Sequence, residues 1–124
     1  MSVLRRQSEA GAVTAEAALG IGLLMLVAIG LAWMVCLGVV AVRAQDAARE
    51  AVRALVRGDP PPEAVALAEQ VATAGSKVTT STEGRLTRVT VQSPVRGPGG
   101  LFSFIGAVVV SGTSVGVAEI DGGG

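Results

Sequence analysis

The chain has 124 residues, ten basic and ten acidic side chains and a formal net charge of zero. It therefore holds at most one small domain and lacks the basic excess that grips nucleic acid. Aromatic residues make up 2% of the chain, too few for a base-stacking platform, and there is no His, which excludes Ser-His and Cys-His catalytic pairs and imidazole metal sites.

The first ten residues are short and polar, with Arg5 and Arg6, and read as a cytoplasmic leader. After Glu16 the next charge is Arg43, and the 26 residues between hold neither a charge nor a Pro. As a helix, residues 17–42 reach ~39 Å, enough to cross a ~30 Å hydrocarbon core with some tilt. They supply most of the mean hydropathy of +0.58. A cleaved signal peptide needs a shorter apolar core and a small-x-small site; here the nearest triplet, Val42, Arg43 and Ala44, has Arg in the middle. Counting arginines leaves the topology open, because Arg43, Arg49, Arg53 and Arg57 outnumber those of the leader.

Within the apolar run, Ala18 and Gly22, then Ala28, Ala32 and Cys36, recur at spacings of four. Such a stripe of small residues lets another helix approach closely, although glycine is common in membrane helices generally. Cys36 follows Val35 deep inside the run, which suits a small apolar residue better than a lipidation site. It is the one cysteine, so no intramolecular disulfide is available.

From Arg43 to Arg57 the helix is expected to continue. Ala44, Ala48, Ala51, Val52 and Leu55 fall on one face, and Arg43, Asp46, Glu50, Arg53 and Arg57 on the other. Gly58 is placed to end it, residues 59–63 turn and restart the chain, and residues 63–74 form a short helix closed by Gly75 and Ser76. From Lys77 the period changes to two. Residues 78–82 are rich in β-branched side chains, and Glu83 with Gly84 is the expected hairpin turn. Thr87, Val89, Val91 and Val95 then alternate with Arg88, Thr90, Gln92 and Arg96 until Pro94 and residues 97–100 break the strand. Residues 101–105 are an apolar patch that caps the core or lies at the membrane surface, and residues 107–119 form a last strand with Val109, Val115 and Val117 on one face, interrupted by Gly112 and Gly116. Residues 122–124 are a loose glycine tail.

The expected fold class is α+β: a long N-terminal helix with a transmembrane half and an amphipathic outer half, a short second helix, and an antiparallel sheet of about three strands. Its divisions are 1–11, 12–57, 58–76 and 77–124. The acids beyond the apolar run show no metal-ligand spacing, so no enzyme activity, cofactor or small-molecule substrate is expected. A sheet of that size has exposed edges, which argues for cover by a neighbouring subunit.

Glu16 stands at the mouth of the apolar run. An acid at the centre of a membrane helix costs ~2.5–3.5 kcal/mol, less near its end, so Glu16 must meet a cation or face water. Taken alone it is an interfacial acid at a helix start. Five residues before it stands Gly11, after a short basic leader. This arrangement resembles the processing site of type IV prepilins. The stretch from Gly11 to Leu19 and the segment from Asp46 to Leu55 are similar to TadE-like pseudopilins of the tight-adherence (Flp) pilus systems. The resemblance implies that a membrane prepilin peptidase cuts after Gly11 on the cytoplasmic side, and that Ala12 becomes the N-terminus. It further implies that Glu16 pairs with a neighbour's amine during assembly. The implied partners are other pilin subunits, the peptidase and the pilus assembly machinery in the membrane. The implied location is a single-pass cell-membrane protein with a cytoplasmic N-terminus and an extracytoplasmic C-terminal domain that enters a pilus. The rival reading is an uncut single-pass anchor carrying a small extracytoplasmic interaction domain.

Overall fold

The computed structural model describes residues 2–100, 104 and 106–118. The apolar patch at 101–105, apart from Phe104, and the chain after 118, with Glu119 and the glycine tail, lie outside the described residues. The element order is α1 (Ser2–Val56), α2 (Pro61–Val71), β1 (Lys77–Glu83), β2 (Leu86–Val95), a short 3-10 turn (Pro98–Gly100) and β3 (Val108–Val117). The fold is α+β, with a long N-terminal helix, a short second helix and a three-stranded antiparallel sheet in the order β1-β2-β3. The chain divides into two compact units, Met1–Met34 and Val35–Gly124.

The first unit is helix. Its apolar side chains stand in the open: Leu19, Ile21, Leu23, Leu24, Met25 and Leu31 are all exposed. Apolar side chains left bare along a helix require lipid or another helix around them.

The second unit is built around alanine. Ala44, Ala47, Ala48, Ala51 and Ala54 of α1 are completely buried, with Val40 and Val52 beside them. All but Val40 join Ala64 and Ala68 from α2, Ala72 just beyond its end, and Val89 and Val91 from β2 in one cluster. The buried face is wider than an i, i+4 reading suggests, since Ala47 and Ala54 belong to it too. Alanine has little side chain to order and lets backbones come close.

The closest approach is between α1 and β3. A Cβ on Gly112 would overlap the backbone of Ala44 and Gln45, and one on Gly116 would overlap Val52 and stand 2.9 Å from Val56 Cγ2. These two glycines were expected to interrupt the strand; instead they seat the helix. The valines share one face, as expected, and it is the outer one. The side of β3 facing the helix is Val108, Val110, Gly112, Ser114 and Gly116, while Val109, Val115 and Val117 point outward at 57%, 49% and 56% exposure. A larger residue on the inner side would hold the helix off, so the apolar content falls on the outer side. Ala44 lies on Gly112 and Val52 on Gly116. That stretch of helix rises ~12 Å and that stretch of strand ~13 Å, so α1 and β3 run in the same sense.

The helix ends follow their local chemistry. Gly58, at φ 94°, ends α1: its N–H donates to Leu55 O at 3.0 Å and that of Asp59 to Ala54 O at 3.0 Å. This is the Schellman pattern, which satisfies the last carbonyls of a helix. Helix α2 begins at Pro61, earlier than Glu63, because prolines suit positions whose N–H groups lack intrahelical partners, and it ends at Val71 because Ala72 is extended (φ −70°, ψ 159°).

Two further details differ from expectation. The hairpin pairs Glu83 with Leu86, so its two-residue turn is Gly84 and Arg85. Gly84 has φ 60° and Arg85 does not have positive φ, as in a type II′ turn with Gly at its first central position. Strand β2 also continues through Pro94 to Val95, since β1 pairs no further than Gln92 and Pro94 therefore sits on an open side. Ser93 is buried there. Its hydroxyl lies 2.6 Å from Ser76 Oγ, which in turn donates to Thr73 O at 2.6 Å.

Substituting Gly112→Ala is expected to lower stability by about 3 kcal/mol, since the neighbour is backbone and cannot repack. Val109→Thr, on the outer side, is expected to change it by no more than about 0.5 kcal/mol. Denaturant unfolding of both variants in detergent micelles measures the difference.

Candidate functional site

The residues singled out by the sequence lie on the first unit's helix. α1 begins at Ser2, so the residues before Gly11 are helical and Gly11 sits within the helix. This first stretch is held locally. Ser8 Oγ donates to Arg5 O at 2.9 Å, and Arg5 Nε stands 3.8 Å from Glu9 Oε1 with both side chains largely exposed. An exposed pair of that length contributes little.

Gly11 is exposed, and nothing lies within 4 Å of where its Cβ would be. Its φ is negative, so glycine is not demanded here by backbone geometry. Ala12 is exposed one residue on, and Thr14 Oγ1 donates back to Ala10 O at 2.9 Å, spanning the bond after Gly11. Glu16 is exposed and has no hydrogen bond or ion pair among the described residues. It lies four residues after Ala12, on the same helix face. The helix thus presents alanine and carboxylate on one face and the glycine about 140° around from the carboxylate, all exposed.

Beyond Glu16, the side chains of residues 17–28 are all exposed. Among the described residues α1 is the helix long and apolar enough to cross a membrane. Ala18, Gly22, Ala28, Ala32 and Cys36 are exposed on it. At ~100° per residue they fall within an arc of about 120°, a broad strip of small residues. No residue of the described chain is brought against Gly22, Gly30 or Gly38 within 4 Å of an added Cβ.

Chemically, this region is long and apolar enough to enter lipid, and its exposed carboxylate is open to a cation from elsewhere. Among the described residues no group of three or more acids or thiols stands together to hold a metal ion.

One pairing escaped the sequence reading. Gln45, half-buried on α1, donates from Nε2 to Thr113 O at 2.8 Å and accepts from Thr113 N–H at Oε1 at 3.1 Å. The available signal was a single neutral amide standing between the alanine face and the charged face of α1. Outside the buried face, Asp46 with Arg49 and Glu50 with Arg53 form loose pairs of 3.8 and 3.7 Å.

Compared with family models, with curated proteins and with solved structures, the chain matches none of them.

Because Gly11 has open space around it and ordinary helical φ, Gly11→Ala is expected to leave the fold intact and to favour the helix by up to about 1 kcal/mol. Circular dichroism of the full-length chain in micelles checks this, and any effect of the substitution on processing is then a matter of recognition.

Proposed function

We propose that this chain is a TadE-like minor pilin or pseudopilin, cut after Gly11 by a prepilin peptidase and assembled at a tight-adherence type IV pilus. The observation that carries the reading is Gly11 followed by Glu16 at the mouth of an uncharged apolar helix whose residues 17–28 are exposed.

The physical sense is as follows. Cutting after Gly11 leaves an amine on Ala12 at the membrane face. Both this amine and the Glu16 carboxylate are costly to take out of water singly. Brought together between neighbouring subunits, the carboxylate of one and the amine of the next neutralise each other and offset both costs. The apolar helices then bundle, with the strip of Ala18, Gly22, Ala28 and Ala32 giving close approach, and the folded units stay outside. The partners in this reading are other pilin subunits, the peptidase and the membrane assembly machinery. The leader is cytoplasmic and residues beyond the span are extracytoplasmic. The chain itself has no catalytic role.

A second reading is an uncut single-pass anchor with a small interaction domain. The unbroken course of α1 from Ser2 through Gly11 favours it, since such an anchor needs no access to that bond.

Mass spectrometry of the mature protein separates the two. Processing predicts an N-terminus at Ala12, and a chain that starts at Met1 or Ser2 in the cell overturns it. In the uncut reading Gly11→Ala changes nothing in apparent mass; in the processed reading it leaves the leader attached. Glu16→Ala is expected to be processed yet to fail in assembly, and normal piliation with that variant rules out the pairing.

A further inference from the structure

We infer that Thr14 is a positioning residue for the cut after Gly11: its hydroxyl keeps the Ala10 carbonyl bonded while the turn around the Gly11–Ala12 bond opens to the peptidase. The inference rests on the proposed function and names a residue that governs how readily that site is reached.

The bond lies inside α1, which runs from Ser2 to Val56. In a helix each carbonyl accepts from the N–H four residues on, so Ala15 N–H holds the Gly11 carbonyl, and about four such bonds cross the Gly11–Ala12 link. A peptidase needs the carbonyl it attacks free and turned outward. Cutting therefore waits on local opening of this turn, and its rate follows the population of the opened form.

The sequence places a weak turn at the cut. Residues 4–7 are Leu, Arg, Arg and Gln, and residues 15–19 are Ala, Glu, Ala, Ala and Leu, all good helix formers. Between these stretches, Gly11, Val13 and Thr14 are poor ones, glycine for its backbone freedom and the β-branched pair for their restricted χ1. Gly11 has open space around it, so no neighbouring side chain clamps the turn shut.

Thr14 adds more than weakness. Its Oγ1 donates to Ala10 O at 2.9 Å. In the helix its own N–H serves the same carbonyl. Two donors then share one acceptor, an arrangement that bends a helix and slightly loosens its ladder. It also gives Ala10 a donor that stays when the N–H lets go. At a membrane face a carbonyl stripped of its partner is costly, and Ser and Thr hydroxyls re-bond such groups where membrane helices are interrupted. The link from Thr14 Oγ1 to Ala10 O encloses residues 11–13, so the chain between them can bulge outward at Gly11 and Ala12 without releasing Ala10. Ser8 differs: its Oγ donates to Arg5 O, wholly before the cut.

The test uses the full chain in lipid vesicles with purified prepilin peptidase, the cut being followed by mass. Thr14→Val keeps the branched shape and removes the hydroxyl. It is expected to be cut about fivefold more slowly, the worth of one hydrogen bond. Thr14→Ser, which restores the hydroxyl, and Ser8→Ala are expected to be cut at the wild-type rate. Adding Ala15→Gly, which loosens the helix by another route, is expected to recover the rate of Thr14→Val; a Thr14 that only touched the peptidase would gain nothing from it. With no peptidase present, amide exchange at Ala15 of the intact chain is expected to be about fivefold slower in Thr14→Val. Cutting of Thr14→Val as fast as wild type overturns the proposal and leaves the processing reading standing. Slow cutting with unchanged exchange at Ala15, or without recovery by Ala15→Gly, overturns it in the same way. A wild-type chain left whole overturns the processing reading and the role of Thr14 with it, so the two failures are distinguishable.

Discussion

The folded unit depends on the close seat of α1 on the two glycines of β3, backbone at one and valine side chains at the other. Gly112 meets the backbone of Ala44 and Gln45, and Gly116 meets Val52 and Val56. Everything else adapts to that spacing. The buried face of α1 is alanine because larger side chains would lift it from the sheet. Helix α2 contributes alanines to the same cluster. The valines of β2 fill what volume remains. A unit this small buries limited apolar area, and it compensates by packing main chain against main chain.

The division of labour along α1 follows from the same economy of side chains. In the first unit, large apolar residues are bare and ask for lipid or other helices. In the second unit the helix carries alanine inward and charge outward. The character of the helix therefore changes near Arg43, where the uncharged run ends. In the proposed pilin reading the first stretch assembles and the second supports a folded head.

Much of this was legible from residues. The long helix, its end at Gly58, the short second helix and three antiparallel strands followed from charge spacing, period and punctuation. The β3 face did not. Val109, Val115 and Val117 share a face as their alternation predicts, but period alone cannot say which side the helix occupies. The signal was Gly112 and Gly116, four apart and hence on one side of a strand, read as breaks when they were contacts. The turn slipped by one residue because Glu83–Gly84 and Gly84–Arg85 are both plausible pairs. Pro94 stayed in the strand because its neighbour β1 had already ended. At the candidate site, Gly11 and Glu16 were visible as spacing, and the partners that would give them meaning lie outside the chain. Gln45 and Thr113 are 68 residues apart, so no local pattern could join them.

The shared direction of α1 and β3 has a mechanical meaning. Within the second unit, a load applied to residues 44–52 of α1 along the helix axis enters the sheet beside β3. It acts along the length of the seat, on the Gly112 and Gly116 contacts and the Gln45 bonds together, instead of opening them one after another. Shear of this kind is resisted by all the contacts at once, whereas peeling breaks them in turn. A unit with a thin alanine core is thereby arranged to hold firmest along the helix seated on β3.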